Sequence, residues 1–197
     1  KLEGFRAIST NTVTNDFCIK MNTSGDTICR QCYSHGMLKS YRKNMQGALQ
    51  RNSDLLSSKA LEQSELPTIL DAFFRINAHG ELINAIHLEN ICRIAEHNPH
   101  CNVALWTKRK DIVSRMFAKR EKPSNLILIW SNPKIDKVVC DPPKHFDRVF
   151  NNVNYEHKTE EQNCTGQKCK DCLLCYRFDT TKVIIEAVKL NGRTIKS

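Results

Sequence analysis

Two short runs, Asn102-Val-Ala-Leu-Trp106 and Leu126-Ile-Leu-Ile-Trp130, are apolar at nearly every consecutive position. Successive residues of a strand point to opposite faces, so a strand that is apolar throughout is buried on both, as in a parallel sheet. Between the two runs, Ile112, Val113, Met116 and Phe117 recur at helical spacing, and Lys122-Pro-Ser124 ends that pattern. Upstream, Phe73-Phe-Arg-Ile76 reads as a strand. Ile83, Ile86, Ile91, Ile94 and Ala95 then fall on one helical face that ends at Asn98-Pro99. Strand, helix, strand, helix, strand in direct succession predicts an α/β fold with a parallel, partial (β/α) barrel-like sheet. Val183–Val188 reads as the last strand, Leu38–Ser58 as a helix, and Pro67 as the start of a short helix over Thr68–Phe73.

Parallel sheets place their chemistry beyond the C-terminal ends of the strands. That makes Asn77-Ala-His-Gly-Glu81, Thr107-Lys-Arg109 and Ser131-Asn-Pro133 candidate rim loops, although each also reads as an ordinary turn. The expected organisation is a single α/β domain over 1–197, with Cys-rich segments at 18–33 and 164–176. No apolar run approaches the roughly 20 residues of a membrane span. Lys1-Leu-Glu-Gly-Phe5 carries no signal-peptide core, so a cytoplasmic protein without a membrane partner is expected. A net charge of +9 admits nucleic acid or another acidic partner. Tyr33, Tyr41 and Trp106 form no aromatic-basic alternation along the chain. Gly-rich phosphate loops, His-Glu-x-x-His and Gly-x-Ser-x-Gly are absent from the sequence.

Seven of the ten cysteines fall into two groups. In the second, Cys164, Cys169, Cys172 and Cys175, four thiols lie within twelve residues. A two-residue gap lets two thiolates converge on one centre across a tight turn. The hooks overlap as Cys169-x-x-Cys172-x-x-Cys175, the ferredoxin habit in which successive loop cysteines bind different irons of one cube. An iron–sulfur cluster is therefore preferred here, with zinc as the alternative and His157 as a competing ligand. The first group, Cys18 with Cys29-Arg-Gln-Cys32, fits either an open-site cluster on three thiolates or zinc with a fourth ligand from elsewhere. One 4Fe-4S cluster at the second group and a second centre at the first is the preferred arrangement. A single site sharing cysteines from both is the rival. Cys92, Cys101 and Cys140 read as small buried apolar residues.

Several stretches resemble the bacteriophage gene-product-88 family: Ile8-Ser-Thr-Asn-Thr-Val-Thr-Asn15, Cys29-Arg-Gln-Cys-Tyr33, Phe74-Arg75 with Gly80-Glu81-Leu82, Ala104-Leu-Trp-Thr-Lys108, Ser131-Asn-Pro133 and Cys164–Cys175. The middle of the chain is similar in turn to radical S-adenosylmethionine enzymes. That resemblance implies an iron–sulfur protein, a redox or radical enzyme, in the host cytoplasm. It further implies an open iron near Cys18, Cys29 and Cys32, S-adenosylmethionine as cosubstrate, and Glu81, His79, Lys108 and Asn132 lining the rim. His79 stands where those enzymes carry the first Gly of a Gly-Gly-Glu strand end. Cys18 lies farther from Cys29 than their spacing has it. The alternative is a non-catalytic, metal-stabilised protein that binds nucleic acid or a host protein.

Overall fold

A computed structural model describes residues 2–23, 25, 27–154 and 160–188. Its frame is six strands: β1 (Ala7–Ile8), β2 (Phe73–Ile76), β3 (Asn102–Thr107), β4 (Leu126–Ile135), β5 (Arg148–Asn154) and β6 (Val183–Val188). They form one sheet in the order β1-β2-β3-β4-β5-β6, and every neighbouring pair is parallel. Each strand lies beside its predecessor, so the winding never reverses. The crossovers from β2 to β3 and from β3 to β4 cover one face, while part of the connection from β5 to β6 packs on the other.

Register separates the two faces. Phe74, Val103, Leu105, Leu126, Leu128 and Val149 share the face covered by α4 (Ala85–His97) and α5 (Lys110–Phe117). Leu88, Ile91, Ile94, Ile112 and Val113 complete that core. Ala104, Trp106, Ile127 and Ile129 face the other way and meet Phe5, Phe73, Phe150 and Tyr176. The long connection from β1 to β2 carries α1 (Asp16–Thr23), α2 (Tyr33–Lys39) and α3 (Gln46–Ser58). A short helical turn, α6 (Cys169–Cys172), precedes β6. No helix among the described residues is long and apolar enough to cross a membrane.

Some expectations are corrected. Thr68–Phe73 is not helical. Asn98 occupies its backbone instead, accepting from Ile69 N at 2.7 Å and donating to Pro67 O at 2.9 Å. The helix expected over Leu38–Ser58 is two helices, parted by a 3-10 turn at Lys43–Met45. Ser131-Asn-Pro133 does not end β4, which runs on to Ile135 through a register shift. Such an irregularity is where a strand tolerates the missing N–H of a proline. On α4, Ile86 faces outward while Leu88 and His87 are fully buried. Cys92 and Cys101 are buried as expected, but Cys140 is exposed.

Candidate functional site

The rim loop 77–81 is shaped by contact with the segment after β1. Gly80 has φ +102, and a Cβ there would lie 2.0 Å from Thr10 Oγ1, so only glycine fits. Thr10 N donates to His79 O at 3.0 Å, and His79 N donates to Ser9 Oγ at 3.1 Å. Asn15 ends the same segment. Its Nδ2 donates to Glu81 O at 3.1 Å, and its Oδ1 accepts from Phe17 N at 3.0 Å and Cys18 N at 3.4 Å. One side chain thus caps the start of α1 and ties Cys18 to the rim.

Glu81 is 4% exposed and points into this edge. Its carboxylate accepts from Leu82 N and Lys108 N, each at 2.8 Å, and from the Thr107 hydroxyl. Burial raises its pKa, and Lys108 with these donors opposes the rise. Lys108 Nζ donates to Ser131 Oγ at 3.0 Å across the ends of β3 and β4. Cys29 stands in a 3-10 turn, Ile28–Gln31, anchored by an antiparallel bridge from Thr27 to Lys134 of β4. Cys32 N closes that turn on Cys29 O at 3.1 Å.

The three thiols share one electrostatic neighbourhood. Burial pushes the Cys18 thiol well up, and Glu81, Cys32 and Cys29 push it further, against Lys108. Burial likewise raises Cys29, with Lys108 opposing and Cys32 and Glu81 reinforcing. Burial alone would lower the Lys108 pKa, but Cys29, Glu81, Cys32 and Cys18 together hold the ammonium above its ordinary value. Among the described residues, no three His, Cys, Asp or Glu side chains stand close enough to hold a metal ion. The donor chemistry nonetheless fits a thiolate-bound group: three undisulfided thiols gather around a buried ammonium. Uncompensated thiolates repel, so a ligand sphere closes only around a cation.

The second group lies against the other sheet face. Cys164 N donates to Ile185 O at 3.0 Å, and Asn163 Oδ1 accepts from Ile185 N at 3.0 Å, fastening the segment to β6. Gln167 Nε2 approaches Cys172 Sγ at 3.4 Å. Cys169, Leu173 and Cys175 pack with Tyr176 over Ala104, Trp106, Ile127 and Ile129. The Tyr176 ring lies 4.3 Å from Phe5 and 5.5 Å from Trp106 between centroids. Asn102, at the start of β3, donates to Tyr176 O at 3.0 Å. Arg148 is 2% exposed and holds the following loop by bonds to Arg177 O, Thr181 O and Thr180 Oγ1. Burial and then Cys164 raise the Cys175 pKa to about 12, Cys169 adds to the rise, and Arg75 and Arg148 oppose it. Arg75 lies 4.0 Å over the Trp106 ring, its Nε lacks a hydrogen-bond partner, and no carboxylate pairs with it among the described residues.

Sequence reasoning therefore located both thiol groups, Glu81 and Lys108, and the fold gathers Glu81 and Lys108 with Cys18, Cys29 and Cys32. Asn132 is placed otherwise: its amide donates to Lys137 O and Asn151 Oδ1 and accepts from Lys134 N, all within the irregular part of β4. Ser131 occupies the Lys108 side instead. Asn15, Arg75, Arg148 and Tyr176 were not anticipated. Asn15 and Arg75 lay in stretches that carry the family resemblance, and Tyr176 directly follows Cys175. His157 lies outside the described residues.

The profile of the Gene product 88 family matches residues 11–186. This chain belongs to the Gene product 88 family. The Gene product 88 match begins inside the segment that supports the rim loop and ends at Glu186, the bridge partner of Cys164. It takes in both cysteine groups. No curated protein and no solved structure matches the chain.

Proposed function

We propose that this Gene product 88 protein is an iron–sulfur protein with a radical S-adenosylmethionine-like scaffold, with one centre at Cys18, Cys29 and Cys32 and another at Cys164, Cys169, Cys172 and Cys175. One observation carries the reading: three thiols, Lys108 and Glu81 share one charged neighbourhood at the C-terminal edge of a parallel sheet wound in one direction. When bound by three thiolates, a 4Fe-4S cluster supplies a one-electron reductant and an iron open to a ligand. Lys108 offsets the thiolate charge there and offers an ammonium to the carboxylate of an amino-acid cosubstrate. Glu81 positions Lys108 through its backbone N–H rather than touching the cosubstrate itself. At the second group, Arg75 and Arg148 face Cys175 without a carboxylate partner, which suits an anionic metal–thiolate centre.

Iron and sulfide counts on anaerobically purified protein test the centres. About eight irons per chain are expected for two cubes. About four would leave one site, and zinc without sulfide would replace the cluster reading altogether. Reduction with S-adenosylmethionine is expected to release 5′-deoxyadenosine. A loaded, reducible protein that releases none removes the radical chemistry. What then stands is the second reading, a metal-stabilised binding protein, favoured by the apolar packing of Cys169 and Cys175 around Tyr176.

A further inference from the structure

Residues 27–53 contain Arg30, Lys39, Arg42, Lys43 and Arg51 and no Asp or Glu, so this stretch holds five of the nine net positive charges. All five side chains belong to exposed residues, and none forms an ion pair among the described residues. Several basic residues elsewhere are neutralised. Arg120 pairs with Glu89 and Glu96, Arg115 with Asp111, and Arg177 with Asp179.

Two aromatic rings lie within this field. Tyr33 and Tyr41 are 56% and 67% exposed, far more than buried aromatic residues such as Tyr176, and their hydroxyls meet at 2.9 Å. Tyr33 opens α2 and Tyr41 lies just beyond its end, so the helix brings together rings that the sequence spacing separates. Arg42 adds its guanidinium 6.0 Å from the Tyr41 ring centre. The charge of Arg42 also reaches His79 and, after burial and Arg75, helps to lower its pKa, so the patch adjoins the rim loop. Tyr33 directly follows Cys32.

We infer that this surface, from Arg30 to Lys43, binds single-stranded nucleic acid and passes the strand across the mouth of the Cys18–Cys29–Cys32 group. Exposed tyrosines offer stacking faces to unstacked bases, and unpaired Lys and Arg side chains take the phosphates. A duplex keeps its bases stacked on one another and cannot use the tyrosines. The inference does not depend on the metal. It adds a substrate class to the rim site only if the proposed function also holds.

The test is fluorescence anisotropy with the full chain, purified anaerobically, with iron and sulfide counted on the same sample. The probes are labelled oligothymidylate, oligouridylate and a blunt DNA duplex, each about 20 nucleotides long, a length that exceeds one binding footprint. Both single strands are expected to bind more tightly than the duplex and to weaken steeply as salt rises. Tyr33→Ala with Tyr41→Ala should weaken strand binding about tenfold while leaving the salt slope unchanged. Arg42→Gln with Lys43→Gln should lower the slope by about 1.4. These residues are exposed, and an unchanged thermal melting curve confirms the fold of each variant. Preference for either DNA or RNA upholds the inference and identifies the strand. Equal binding of duplex and single strands with no tyrosine dependence overturns it, as does absence of binding at low salt. Strand binding by protein without iron or sulfide would remove the proposed function alone.

Discussion

The two cysteine groups meet opposite surroundings. Cys18, Cys29 and Cys32 stand at the strand ends beside a buried carboxylate and a buried ammonium; Cys18 N donates to Asn15, Lys108 N donates to Glu81, and the Thr27 bridge anchors the turn of Cys29. Cys169 and Cys175 lie on an apolar floor of Tyr176, Trp106 and Ile129, with Arg75 and Arg148 near the Cys175 sulfur. A polar edge can exchange a ligand and respond to its charge. An apolar floor excludes water and rewards a closed, fixed centre. The same residue type therefore suits chemistry at the rim and anchoring on the sheet face, and the difference lies wholly in the neighbours.

Breaking the polar edge should have the largest effect. Glu81→Ala strands three hydrogen-bond donors in a buried site and takes a carboxylate from beside the Lys108 ammonium. We expect urea unfolding to show a loss of about 3–5 kcal/mol, with iron lost from the first centre and retained at the second. Iron loss from both centres would contradict the separation. The converse change is Tyr176→Ala, which removes a ring packed on Phe5, Phe73 and Trp106. It should cost about 3 kcal/mol and deplete the second centre while the first still binds iron.

A third change probes the helix-covered face, away from both groups. Burial lowers the pKa of His87 from 6.5 to about 4, so the folded protein keeps this imidazole neutral where the unfolded chain binds a proton. Stability is then complete above pH 6.5 and falls as pH drops towards 4, by up to about 3 kcal/mol. Urea midpoints measured across that window should decline more steeply in the wild type than in His87→Leu, where His35 and His79 still contribute. An equal decline in both would assign the acid sensitivity to other groups. The smallest effect is expected from Arg75→Gln, which takes a cation from beside Cys175. Redox titration should show a lower midpoint potential at the second centre and an unchanged one at the first. Movement of both would mean that Arg75 serves the two groups alike.

Strands β2, β3 and β6, the first half of β4, and helices α4 and α5 were legible because their apolar pattern has a clear period. β5 was not. Its Arg148-Val-Phe-Asn-Asn-Val-Asn154 sequence reads as polar, yet Asn151 is fully buried, bonded to Asn132 and Val139. A buried polar residue is silent to a hydrophobicity pattern when its partners are distant in sequence. Asn132 misled for the same reason. It sits beside a rim serine, but its amide is consumed by the fold. Thr68–Phe73 read as a helix behind Pro67, but Asn98, some thirty residues later, takes the backbone bonds that a helix would have used.

The sequence by itself determined the parallel α/β layout, the two thiol groups and the local spacing within each, because periodicity and short gaps are local properties. Tertiary structure decided what surrounds each group. It set Glu81 and Lys108 against Cys18, Cys29 and Cys32, laid Cys169 and Cys175 on the face opposite α4 and α5, and joined Tyr33 to Tyr41. Those neighbours come from separate strands and helices, and charge and burial act through space, so no reading along the chain could have supplied them.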